Sequence, residues 1–249
     1  MSNNRPPETP EQARQHERSY VNAFTFGNFL IGTGVMMAPG LLIVLSNDLG
    51  ATVPQTALTI TIAAIAMCLG SPILATVTSQ IDRRTVLAGS LMLYAVGHAL
   101  CAFAPNLTAL IALRTVTMLG AAIFTPQAAA TLGIVIAPER RAAAITAVFL
   151  GWSVASVFGS PMSAWLGANV GWRATFGLFA ALCLIGVVWV FRVVPKGLQG
   201  VALSRDAWIR IVRHPTLIAI LLVTMVAGSG QFTTFAYIAP YVANTLDPS

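Results

Sequence analysis

Seven stretches of the 249-residue chain contain no Asp, Glu, Lys or Arg: residues 19–47, 49–81, 85–113, 115–138, 142–172, 174–191 and 214–246. Each reaches the roughly 17–25 apolar residues that a helix needs to cross a bilayer. Between them the polar breaks are short, and no stretch alternates apolar and polar residues in the ten-residue units of a membrane barrel. The pattern predicts seven transmembrane helices and an all-helical fold.

Turn signals divide the pattern further. "SQIDRR" (79–84), "APNL" (104–107), "PERR" (138–141) and "ANVGW" (168–172) are brief breaks, so consecutive helices are antiparallel neighbours. Residues 1–19 are polar and proline-containing and read as a disordered tail. The first apolar block is too long for a signal-peptide core and is expected to remain as helix one. Residues 20–194 then form a six-helix bundle, and 195–215 form a linker. Within that linker Trp208, Ile209, Ile211 and Val212 among basic residues predict a short amphipathic helix on the membrane surface. Residues 216–249 supply helix seven.

Composition agrees with this reading and adds an orientation. Charged residues make up 9% of the chain, far below the roughly 25% of a soluble domain. The basic residues Arg5, Arg14 and Arg18, Arg83 and Arg84, Arg140 and Arg141, and the five from Arg192 to Arg213 lie on alternate connections. By the positive-inside rule that side is cytoplasmic, with the N-terminus on it. The net charge of +6 is spread over these short loops, so no nucleic-acid partner is expected. Cys68, Cys101 and Cys183 sit in apolar windows without metal-ligand spacing and read as buried thiols; no metal or cofactor is expected.

Arg114 is the charge that does not fit a loop. It follows the turn at Pro105 and Asn106 by about eight residues, roughly 12 Å into a helix at 1.5 Å per residue. An arginine in hydrocarbon costs at least about 2.5–3.5 kcal/mol on insertion scales and normally faces a cavity or a partner. If the helix began at Thr115, the side chain would snorkel outward instead. Helix five repeats small residues every four positions, Gly151, Ala155, Gly159, Ser163 and Gly167, with Ser156, Ser160 and Ala164 alongside and Pro161 among them. That spacing permits close helix approach, within the bundle or to another one. Asn28, Met36, Met37, Gln127, Gln231 and Tyr237 are candidates to line a pathway. Their alternative is to bond and pack across helices.

These motifs together resemble the major facilitator superfamily, and within it the drug:proton antiporters and sugar efflux permeases. The resemblance rests on "ATVTSQIDRRTVLAGSL", "RTVTMLGAAIFTP", "GSPMSAWLG" with "GWRATF", and "GQFTTFAYIAPYV". It implies two six-helix bundles, of which this chain carries the first, the linker and helix seven, the rest of the second bundle being missing. It also implies inverted three-helix repeats, faintly echoed by "IGTGVMMAPG" and "LGAAIFTPQ". Arg114 would face the central cavity and serve proton coupling. Asp82, Arg83 and Arg84 would steady one conformation, although Ser79 stands where the general signature has aspartate and Asp82 where it has glycine. Gly159, Ser160, Pro161, Ser163 and Gly167 would pack against the other bundle. The implied partners are the lipid bilayer, a small-molecule solute and H⁺, and the implied location is a bacterial inner membrane. Gly34 stands where many multidrug relatives carry an acid.

Other classes fare worse. The only lysine, Lys196, is in a loop, so a retinal Schiff base within the membrane is excluded. A seven-helix receptor has no positive support, and no Ser/His/Asp set or paired intramembrane carboxylate points to an enzyme. A truncated, non-transporting product remains an alternative to the efflux transporter.

Overall fold

The computed structural model describes residues 10–200 and 205–246, all of its regular structure being helical: α1 (Pro10–Asp48), α2 (Val53–Val77), α3 (Arg83–Ala102), α4 (Leu107–Val135), α5 (Pro138–Val170), α6 (Trp172–Val193), α7 (Arg205–Arg213) and α8 (Pro215–Leu246). Among the described residues seven of these are long and apolar enough to span a membrane, α7 being the exception. The local reasons for the boundaries lie in the turns. Thr52 accepts from the Gln55 N–H while the Gln55 side chain accepts from the Thr52 N–H, a reciprocal cap that starts α2. Asp82 and Asn106 cap α3 and α4 through the Thr85 and Ala109 N–H groups. Gly171, at φ +83°, turns the chain between α5 and α6 in a conformation that a side chain disfavours.

The chain forms two compact units, residues 1–200 and 201–249. In the first, α1 packs chiefly on α5, α4 on α2, and α3 on α6, with α3 also against α4 and α6 against α1. Exchanging α1 with α4, α2 with α5 and α3 with α6 maps this set of pairings onto itself. That is the arrangement of two three-helix repeats of opposite direction. Prolines follow the same exchange: Pro39, Pro72, Pro126 and Pro161 lie inside α1, α2, α4 and α5, while α3 and α6 have none. The surface is apolar, with Leu69, Ile73 and Val77 of α2 and Val157, Phe158 and Trp165 of α5 pointing outward. A soluble bundle would show the reverse, and lipid is the solvent that matches it.

Small residues set the closest helix contact. A Cβ on Gly151 would run into the Thr25 carbonyl oxygen, one on Gly40 into the Ser160 carbonyl, and one on Gly167 into the Leu41 side chain. The α1–α5 pair therefore packs backbone to backbone along the predicted four-residue stripe. Polar side chains pin the ends: Trp172 Nε1 donates to Asp48 at 2.7 Å, and Arg173 Nη1 donates to the Ala102 and Ala104 carbonyls at 3.2 and 2.8 Å.

Two expectations need correction. Residues 10–19 are not a disordered tail but the first turns of α1, extended because Glu17 meets Arg140 of α5 in a two-pronged ion pair at 2.9 and 3.0 Å; residues 1–9 lie outside the described part. Cys68 is exposed rather than buried, since its helix α2 is covered on one side only, whereas Cys101 and Cys183 are buried.

Candidate functional site

Arg114 is the eighth residue of α4 and is 2% exposed, so it neither caps the helix nor snorkels out of it. Its side chain turns into the first bundle, toward α1, α3 and α6. Nη2 donates to the Gly34 carbonyl of α1 at 3.3 Å, a long bond, and Nε and Nη1 are buried without a partner. The guanidinium carbon lies 5.9 Å from the centre of the Phe176 ring on α6, close enough for a weak cation–π attraction. Within this unit the side chain sits in the packed interior.

Its surroundings are aromatic and neutral. Tyr94 Oη donates to the Ile31 carbonyl at 2.9 Å. His98 Nδ1 lies 2.8 Å from the Tyr94 carbonyl, which can only accept, so Nδ1 carries a proton and donates it there, leaving the other ring nitrogen, Nε2, outside this bond. That Nε2 is buried and unpartnered, 2.9 Å from where a Cβ of residue 34 would stand. Rings of Phe176 and Phe179 close over His98 at 5.8 and 4.8 Å. Gly34 is thus the meeting point: its carbonyl takes Arg114, and its missing side chain leaves room for the Tyr94 hydroxyl and the His98 ring.

The other sequence candidates are dispersed. Asn28 is fully buried, its amide donating to the Val148 carbonyl at 3.1 Å and its oxygen accepting from Thr125 at 2.7 Å, which joins α1, α4 and α5. Gln127 donates to Thr78 at 2.9 Å, tying α4 to the end of α2. Met36 and Met37 are buried, Met36 against Gly159 of α5. Gly159, Ser163 and Gly167 are buried on the α1-facing stripe, Ser160 is half-buried beside it, and Pro161 is exposed. Gln231 and Tyr237 lie exposed on α8, in the other unit.

An apolar groove of about 440 Å³ opens instead among α1, α2, α4 and α5, lined by Met67, Cys68, Ser71, Thr125, Phe149 and Trp152 among others. None of the sequence candidates lines it. Asn28 stands directly behind, holding the Thr125 hydroxyl. Pro126 has no N–H to offer the Ala122 carbonyl, and Ser71 supplies the hydroxyl that bonds it at 3.2 Å. Ser71, Thr125 and Ser160 each immediately precede a helix-interior proline, a signal present in the sequence. Ser71 and Thr125 share the groove, which depends on how four helices meet.

The sequence model of the Major Facilitator Superfamily matches residues 24–249. The chain belongs to the Major Facilitator Superfamily. Among its relatives are an inner membrane transport protein, YdhP, of Escherichia coli K12 (28% identical, covering 88% of this chain and 56% of that protein), a chloramphenicol resistance protein of Streptomyces lividans (31%, 86% and 56%) and a probable sugar efflux transporter of Mannheimia succiniciproducens (34%, 89% and 56%). The chain spans about half the length of these curated relatives. Its fold is similar to the inward-facing, unoccupied crystal structure of a bacterial homologue of the human lysosomal transporter Spinster, with a TM-score of 0.74 at 16% identity, over 95% of this chain and 56% of that one. This member of the superfamily is a multi-pass membrane protein of the transporter class.

Proposed function

We propose that the chain is the N-terminal bundle, linker and seventh helix of a secondary active transporter that exports a small organic solute by alternating access, driven by the proton gradient. The observation that carries this reading is Arg114: a guanidinium in the packed core of a membrane bundle, held by one long bond with two nitrogens unpartnered. A group so placed destabilises the fold, and functional need is the usual reason for keeping one inside a membrane. The names of the sugar efflux and chloramphenicol resistance relatives support a small neutral solute, and the apolar groove with its Ser71 and Thr125 hydroxyls suits one. In this reading Arg114 couples or gates, Asp82, Arg83 and Arg84 steady one state, and the outer face of α5 with Ser160 and Pro161 meets the second bundle. The protein sits in a bacterial inner membrane with its N-terminus in the cytoplasm.

The test is solute flux by the full-length gene product in proteoliposomes under an imposed pH gradient. Gradient-dependent flux that Arg114→Ala abolishes and Arg114→Lys restores in part supports the reading. Undiminished flux in Arg114→Ala removes the coupling role, and flux indifferent to the gradient removes proton coupling.

A further inference from the structure

The residues that follow α6 are fastened to the loop between α2 and α3. The Gly197 N–H donates to Asp82 Oδ2, the Arg83 N–H to the Leu198 carbonyl at 2.8 Å, and the Gly200 N–H to the Ser79 carbonyl at 3.2 Å. Asp82 acts with both oxygens, since Oδ1 accepts from the Thr85 N–H at 3.3 Å and caps α3. The bond from Gly197 is charge-assisted, roughly twice as strong as a neutral one. Beside it the Arg84 guanidinium carbon lies 3.9 Å from the centre of the Phe191 ring, holding the end of α6 to the same corner.

Two glycines make the fit specific. Gly197 has φ +85°, in the left-handed region where a side chain is strained. A Cβ on Gly200 would overlap the guanidinium of Arg83 and lie 2.8 Å from the Ser79 carbonyl oxygen. Arg83 is itself buried, so its guanidinium has little room to yield. Asp82 occupies the signature position where glycine is usual, so the general pattern gives its carboxylate no task. The structure gives it one.

We infer that Asp82 is a positioning residue that straps residues 195–200 to the cytoplasmic end of the first bundle, so that the chain up to Gly200 moves with α1–α6 as one body. In its consequence for flux the inference rests on the transport reading above; in its structural content it does not. A solute carrier that rocks two bundles needs a defined point where one body ends, and the strap sets that point six residues beyond the close of α6 at Val194.

Lys196, exposed beside the strap, is the only lysine of this chain, so a lysine-specific endoproteinase has a single cleavage site in it, at the Lys196–Gly197 bond. Cleavage demands that the strap leave its dock. The full chain in lipid nanodiscs is expected to be cut slowly, and Asp82→Ala about 10- to 100-fold faster, the range set by losing a hydrogen bond to a charged group. Asp82→Asn, which keeps an acceptor, falls between. Gly200→Ala leaves Asp82 and its cap intact and is expected to speed cleavage about tenfold by overpacking alone, with little change in the melting temperature of the bundle. A native chain cut as fast as Asp82→Ala, or Gly200→Ala cut at the native rate, overturns the strap. In the full-length protein Asp82→Ala lowers the maximal flux, leaves the half-saturating solute concentration unchanged, and is partly rescued by Asp82→Asn. A strap whose loss leaves flux unaltered overturns the positioning role. Absent flux in every form, with the protease result as expected, overturns the transport reading alone.

Discussion

Replacing Arg114 by methionine is expected to make the protein more stable and less active. Methionine fills much of the same space without a charge. What it gives up is a 3.3 Å hydrogen bond to a carbonyl and a weak attraction to the Phe176 ring at 5.9 Å. What it relieves is larger: two buried, unpartnered nitrogens on a charged group, each costing about 1–3 kcal/mol when left without a bond. Swapping buried ionic groups for apolar ones of similar volume typically gains about 1–4 kcal/mol, and a gain in the lower half of that range, about 2 kcal/mol, is expected. At about 2–4 °C per kcal/mol for a unit of this size, the unfolding temperature should rise by about 4–8 °C. Alanine separates charge from volume. It relieves the same unpaired nitrogens but empties roughly 80–100 Å³, which at about 24 cal/mol per Å³ costs about 2 kcal/mol and cancels the gain. The assay is thermal unfolding in detergent, followed by the loss of monodisperse protein on a sizing column after heating. Arg114→Met melting several degrees below the native protein refutes the reasoning, because it would mean that the guanidinium is fully paired in the folded state.

Gly151→Ala drives a methyl group into the Thr25 carbonyl, backbone that cannot step aside, and should cost about 1–3 kcal/mol, read as a lower unfolding temperature in the same assay. Cys68 is the one exposed thiol among the three cysteines and borders the groove, so a maleimide reagent should modify it in the folded protein while Cys101 and Cys183 react only after denaturation. Equal labelling of all three would contradict the packing of α3 and α6 around the buried pair.

The sequence by itself determined the number of spans and the turns that separate them. Charge-free windows of spanning length leave few alternatives, and Thr52, Asp82, Asn106 and Gly171 close the turns with local chemistry that needs no tertiary partner. It also marked Arg114, because a charge deep in an apolar window is visible whatever surrounds it. What only the tertiary structure decided was direction. The four-residue stripe of α5 is consistent with a partner in either bundle, and close approach to the Thr25 backbone and to Thr33 and the Met36 side chain assigns Gly151 and Gly159 to α1. Asn28, Met36, Met37 and Gln127 looked like pathway residues by type. Bonding and packing across helices was the other reading of the same types, and in the first unit these four are buried, while Ser71, Thr125 and Trp152 line the groove. A helix presents a new face every 100°, and in a membrane both lipid and core accept apolar side chains. Hydropathy therefore locates a span and says little about which side of it faces its neighbours. The counter-group of Arg114 was beyond reach of the sequence for a further reason: it is a main-chain carbonyl, Gly34, an atom that every residue possesses and only the packing of α1 against α4 singles out.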